Sequence, residues 1–194
     1  AGITHGAPSP RRVPALRLEH VDGSAAVLPG TDAAIEWTSA EVERVVELVL
    51  EHARSRRSES LAVLTLTAAM AELVRNGVRD GVGRLEDDDA AVDFLAGAGV
   101  EPFVVARVDE ADGVLRDVVL LAVGYGRTPH GRVLHRFPEL SLPGAEAALI
   151  AATARARHEL VVVSTLRAGD LDAGRLRATS ASRLVDLLAH AEGG

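Results

Sequence analysis

The chain has 194 residues, 21 basic against 28 acidic side chains, and a formal net charge of −7; 47% of it is apolar and 25% charged. This is the make-up of a globular domain that can bury roughly 70% of its unfolded surface without metal or disulfide staples, and it excludes a disordered chain or one carrying a membrane helix. Cysteine and lysine are both absent, which excludes thiol nucleophiles, thiolate metal sites, Schiff-base lysines and the lysine of a Walker A phosphate loop. The lack of cysteine and of any basic-then-apolar leader fits a reducing cytoplasm, which is the expected location.

Residues 1–12, with Gly2, Gly6, Pro8, Pro10 and two terminal arginines, read as a flexible arm ahead of one domain over 13–194. An opening at Ala1 rather than methionine is expected of a piece of a longer polypeptide, or of a chain whose initiator has been removed. Val13 to Val21 and Ala25 to Leu28, on either side of Asp22-Gly23, have the pattern of short strands. Thr38 followed by Glu41 is a capping-box signature, and Val42, Val45, Val46, Val49 and Leu50 then recur at helical spacing. Glu43, Glu47 and Glu51 fall on the other side of that helix.

Leu61 to Leu66 is a continuous apolar run rather than an alternating one, which suits a strand covered on both faces. A helix from about Thr67 to Arg79 follows, then a break at Gly81 and Gly83 and a short helix around Ala90 to Ala96. Phe103–Val108 and Asp117–Val123 read as the next strands, and a glycine-rich loop runs from Gly124 to Gly131. Pro143 to about Arg157 is alanine-rich and helical, Leu160–Thr165 is a further buried strand, and Thr179 or Ser180 caps a last helix with Leu184, Leu187 and Leu188. Strands alternating with helices call for parallel crossovers, hence a three-layer α/β domain with a mostly parallel central sheet.

Ligands of open α/β sheets sit beyond the carboxyl ends of the strands. Three loops qualify: Asp109 to Arg116, Gly124 to Arg136, and the turn after Thr165. Arg116, Arg127, Arg132 and Arg136 crowd them, with Arg155 and Arg157 one element later. Guanidinium groups clamp phosphate oxygens, so the cluster reads as a phosphate-facing surface; without lysine, arginine must equally do all the solvating. On a helix Arg155 and Arg157 would point about 200° apart, so only one could reach a given ligand. Asp87-Asp88-Asp89 is read as a helix cap rather than a cation site. His130 and His135 lack a third ligand nearby, so no metal is expected. Ser141, Ser164, Ser180 and Ser182 lack nucleophile-elbow glycines. Three Phe, one Tyr and one Trp are too few for a base-stacking platform, leaving Tyr125 as a loop contact or a packing residue.

Taken in order, these segments resemble the second, C-terminal RecA-like domain of superfamily 1 helicases, on the nonsense-decay-helicase branch, and bacterial helicase-like proteins in particular. The resemblance runs from about Leu16 to His190. Arg17–Gly23 is similar to the entry segment, Leu61–Thr67 to motif IV, Glu101-Pro-Phe103 through Gly113, Arg116 and Asp117 to Gly126 to motif V, and Glu146–Leu149 through Thr153–Arg157 to motif VI. The resemblance implies a P-loop-NTPase-type fold without its own P-loop. It also implies that Arg155 serves as an arginine finger on ATP and Mg held by an N-terminal P-loop domain of the same protein. On this resemblance the chain itself is expected to hold no cofactor. Gly113, Arg116, Asp117, Tyr125 and Arg127 would then face nucleotide, single-stranded DNA or RNA, or the neighbouring domain, with no membrane partner.

Several positions depart from that family pattern. Asp112 and Leu115 stand where the family has glutamine and glutamate, and Met70 replaces the motif IV glutamine. Ala147, Ala148, Ile150 and Ala154 replace two arginines, an asparagine and a threonine of motif VI. An acid in place of an amide repels phosphate instead of donating to it. The alternative implied is a degenerate helicase-like domain kept as a structural or protein-interaction module, without ATPase activity.

Overall fold

A computed structural model describes residues 13–23, 38–85 and 87–194. The expected arm over 1–12 and the expected strand at Ala25–Leu28 lie outside the described residues. Five strands, β1 (Ala15–His20), β2 (Leu61–Thr65), β3 (Val104–Arg107), β4 (Arg116–Ala122) and β5 (Ala156–Ser164), form one sheet in the order β1-β5-β4-β2-β3. Every neighbouring pair is parallel. Helices α1 (Ser39–Ser55), α2 (Ala68–Gly81) and α3 (Asp89–Leu95) cover one face; α4 (Ala145–Thr153) and α5 (Thr179–Glu192) cover the other. The expected three-layer α/β architecture is therefore present. Among the described residues, no helix is long and apolar enough to cross a membrane.

The apolar runs split cleanly between the two layers because successive strand side chains point to opposite faces. Leu61, Val63, Val118, Leu120, Val161 and Val163 pack under α1 and α2, while Ala62, Leu64, Val119, Leu121, Leu160 and Val162 pack under α4 and α5. Covering both faces explains why β2, β4 and β5 read as unbroken hydrophobic stretches.

Helix α2 ends at Gly81, at the expected break, and a short 3-10 turn over Val82–Leu85 follows through Gly83. A Cβ on Gly77 would lie 2.7 Å from Val46, and one on Gly81 would lie 2.9 Å from Leu50. These two glycines, four apart, let α2 approach the Val46 and Leu50 ridge of α1, so Gly81 serves a helix contact as well as the helix end.

Helix α4 ends at Thr153, earlier than its composition suggests, and β5 begins at Ala156 instead of Leu160. The Arg116 amide donates to the Arg155 carbonyl at 3.0 Å and Arg116 pairs with Ala156, so the sheet draws this segment out of the helix. Helix α5 takes Ala178 as its N-cap without a side-chain bond. The Ser180 hydroxyl, a candidate cap, instead donates to the Leu140 carbonyl.

Candidate functional site

Helices leave β1 and β2 toward one face of the sheet, whereas the segments after β4 and β5 turn to the other. That divergence opens a crevice beyond the carboxyl ends of the central strands, the usual ligand position in such sheets. The residues singled out in the sequence do not gather there. They divide between the two ends of the sheet.

Arg116 and Asp117 are the first two residues of β4, Arg157 is the second of β5, and Arg155 immediately precedes β5. The loop that begins at Asp109 leaves the carboxyl end of β3 and must return to the opposite end to start a parallel strand. Its second half therefore belongs to the amino edge, which corrects the expectation that the whole of Asp109–Arg116 lies at the carboxyl edge.

The Arg116 side chain turns inward and donates to the Pro102 carbonyl at 2.7 and 3.0 Å and to the Leu115 carbonyl at 3.0 Å. At 9% exposure it is not a surface residue, because the carbonyls of the strand's own approach segments consume its donors. Arg157 pairs with Glu101, and with Asp117 at 2.9 Å. Asp117 also accepts from the Ser60 amide at 2.9 Å and the Ser60 hydroxyl at 3.1 Å. Hydrogen bonds from Arg157 and then Ser60 pull the Glu101 carboxyl down to about 2. For Asp117, burial pushes upward, but the Ser60 amide and Arg157 outweigh it and hold the carboxyl below its usual range. This cluster clasps the starts of β2, β4 and β5 together.

Arg155 is placed differently. It lies in the turn between α4 and β5, not on a helix, so the helical angle separating it from Arg157 does not apply. Its side chain is 23% exposed, and its one ion pair among the described residues is a 3.2 Å contact to Asp112, whose carboxylate is fully exposed. Its Nε is buried with no hydrogen-bond partner among the described residues. Arg155 stands at one end of a groove of about 390 Å3 between the alanine face of α4 (Ala147, Ala148, Ala151) and the Arg107–Asp112 segment. Gly113, exposed and at φ +76°, provides the left-handed turn that swings Asp112 outward.

At the carboxyl edge, Tyr125 is 1% exposed. Its ring meets Phe137 edge-on at 4.7 Å between centroids, and its hydroxyl donates to Glu139 at 2.7 Å. Of the two roles open for it in the sequence it takes the packing one, because the glycines on either side let the chain tuck the ring under the loop. Arg127 is half-exposed and donates to the Gly131 carbonyl at 3.1 Å and to Asp170. Arg132 and Arg136 are exposed, with no side-chain bond among the described residues.

The sequence reading missed Glu41. Its backbone amide donates to the Thr38 hydroxyl at 3.2 Å, which is half of a capping box. The carboxylate does not return to Thr38. It crosses into the crevice and accepts from the Gly124 amide at 2.6 Å and the Thr165 amide at 3.2 Å, the residues just beyond β4 and β5. It is fully buried, and that burial pushes its carboxyl up to about 8 against the downward pull of the two amides. The amides that could receive an anionic ligand at this crevice are thus held by the chain's own side chain. The Thr38-x-x-Glu41 spacing was the available signal, but it reads equally as a local cap.

Asp88 caps α3, accepting from the Ala91 amide at 3.1 Å, and pairs with Arg57 at 2.9 Å. His130 is exposed, while His135 Nε2 accepts from the Asp172 amide at 2.9 Å. Among the described residues, no three His, Cys, Asp or Glu side chains converge as metal ligands.

No protein-family model matches the chain. No curated protein sequence matches it either. Among solved structures it is similar to the C-terminal domain of a possible DNA helicase from Lactobacillus plantarum WCFS1, at 15% identity over 89% of this chain and 80% of that one, with a TM-score of 0.42. It is also similar to the C-terminal part of the Fun30 ATPase domain, at 11% identity over 77% of this chain and 53% of that one, with a TM-score of 0.36. The chain spans about half the length of that second structure.

Proposed function

We propose that the chain is a RecA-like, C-terminal motor-type domain of a helicase-like protein. In this reading Arg155 is delivered to ATP and Mg held by an N-terminal P-loop domain of the same polypeptide. The observation that carries the reading is Arg155 itself: among the described residues its guanidinium has an unpartnered Nε and one ion pair, to an exposed acid, and it lines a groove on a covered parallel sheet. A cation offered from a second domain stabilises the charge that spreads over the phosphoryl oxygens in the transition state. The lysine-free sequence, and the Glu41 carboxyl on the Gly124 and Thr165 amides, support the idea that the ATP to be hydrolysed is not held at the strand ends of this domain. Of the residues expected to face single-stranded DNA or RNA or the companion domain, Gly113 and Arg127 keep surface positions.

The test is the steady-state ATPase rate of the full-length protein carrying Arg155→Ala or Arg155→Lys. A fall in kcat of roughly 10³-fold for alanine, not restored by lysine, is expected of a finger that must present a planar fork. An unchanged rate removes Arg155 from the chemistry. The isolated chain is expected to show neither ATP turnover nor tight single-stranded DNA binding at physiological salt.

A second reading, that of an interaction module without ATPase activity, is favoured by a separate observation. Arg116, Asp117 and Arg157 are consumed by internal bonds, while Leu142 and Ile150 beside the groove are 58% and 51% exposed. An absence of nucleotide-dependent turnover in the full-length protein selects it.

A further inference from the structure

On the α4/α5 side of the carboxyl edge, a second pocket of about 770 Å3 is lined by His135, Arg136, Phe137, Arg175, Arg177 and Ala178, among others. It lies between the segment that leaves β4 and the segment that leads into α5, and His135 ties the two together through the Asp172 amide. The volume suits a ligand of mononucleotide size.

Its charge is unbalanced. Arg136, Arg175 and Arg177 are all exposed, and none makes a side-chain hydrogen bond or ion pair among the described residues. The acid beside them, Asp172, has turned its carboxylate onto the Gly174 amide at 2.9 Å. Several arginines elsewhere in this acidic chain, Arg17, Arg44, Arg56, Arg57, Arg107 and Arg157, each hold a carboxylate. Others such as Arg132 stand without a side-chain bond among the described residues, but these three are the ones gathered around one cavity. Three guanidinium groups lining one cavity, with no internal anion, repel each other until an external anion arrives. The α5 amino terminus, capped by Ala178 without a side-chain bond, adds a positive helix end at the same wall. His135 Nδ1 is buried without a partner among the described residues, and because Nε2 accepts from an amide, Nδ1 is the nitrogen that carries the proton.

We infer that this pocket binds a phosphoryl anion through Arg136, Arg175 and Arg177. The inference does not rest on the role proposed for Arg155. Phosphate fits better than carboxylate because a tetrahedral anion with three or four accepting oxygens can engage several guanidinium forks at once. That anion comes either from a small phosphate compound or from a nucleic-acid backbone, and the two probes below separate these sources.

The purified chain is titrated by calorimetry with sodium pyrophosphate and, separately, with a short oligothymidylate, at low salt of about 50 mM to keep the phosphate contribution visible. Binding is expected with wild type and with Arg155→Ala, and is expected to weaken at least about tenfold in Arg175→Ala/Arg177→Ala. Arg136→Ala should weaken it by less. Arg79→Ala/Arg84→Ala, which removes two arginines outside the pocket, should leave it within about twofold. Glutamine at 175 and 177 repeats the test with side-chain bulk retained, and thermal midpoints confirm that each variant folds. Oligothymidylate that competes with pyrophosphate identifies a backbone source; pyrophosphate binding alone identifies a small ligand. No heat with either probe, or binding unchanged in both double variants at 175 and 177, overturns the inference.

Discussion

Two groups of arginines, one at each end of the sheet, are used in opposite ways. At the amino edge Arg17, Arg56, Arg116 and Arg157 are saturated by carboxylates or carbonyls and knit strand starts together. At the carboxyl edge Arg127 is held by Asp170, but Arg136, Arg175 and Arg177 line a cavity with no side-chain partner among the described residues, and the Glu41 carboxyl takes the Gly124 and Thr165 amides. Arginine in a lysine-free chain carries no label for its role; the acids that the fold places around it separate structural cations from available ones. Arg155 is the exception at the amino edge, tied only to an exposed acid.

The sharpest way to break this contrast is to remove Glu41. Glu41→Ala leaves the Gly124 and Thr165 amides buried without acceptors and opens a void, and is expected to cost about 3 kcal/mol or more in urea denaturation. Glu41→Gln puts an N–H2 against one of the two amides and should cost about 1–3 kcal/mol. Its pH dependence has a definite sign. The folded carboxyl is raised from 4.5 to about 8, so it keeps its proton where the unfolded chain has lost it. Its contribution is complete below about 4.5 and is lost as pH rises toward 8. Stability measured across that window should slope downward in wild type and flatten in Glu41→Gln.

The amino-edge clasp should give the opposite slope at a smaller size. Arg157→Ala leaves Glu101 and Asp117 facing each other and should cost about 1–2 kcal/mol, discounted because the pair is a third exposed. The Glu101 carboxyl is lowered from 4.5 to about 2, so its stabilisation is present above the ordinary value and is lost as pH falls toward 2. That acid limb should shrink in Arg157→Ala while the limb due to Glu41 persists. Tyr125→Phe, which deletes the bond to Glu139, should cost about 0.5–1.5 kcal/mol. Arg155→Ala should change stability least, by under about 0.5 kcal/mol, because its single ion pair is solvent-screened. A larger loss would make Arg155 another member of the structural clasp.

Much of the layer structure was legible in the sequence. The Leu61–Leu66 and Asp117–Val123 runs announced doubly covered strands, and the Val42-to-Leu50 spacing announced α1, because burial on both faces or on one stripe leaves a direct mark on residue order. The end of α4 was not legible: Ala-rich sequence favours helix up to Arg157, and only pairing with β4 turns Ala156 into strand. The packing role of Gly81 was not legible for a similar reason, since a glycine that admits a neighbouring helix looks the same as one that ends its own. The candidate site was legible in residue type more than in place. Arg155 and Arg127 stand on or near the surface, whereas Arg116 and Tyr125 turned inward to find carbonyls and a packing partner.

By itself the sequence determined the α/β class, the two-sided burial of the central strands, and the exclusion of thiol and lysine chemistry. Each of these depends on composition or on periodicities of a few residues. The tertiary structure alone decided which end of the sheet each arginine occupies and which acid it meets. It also alone sent Glu41 to amides 83 and 124 residues away. Long-range partners of that kind are set by strand order and crossover direction, and a charged side chain's role depends on those partners more than on its neighbours along the chain.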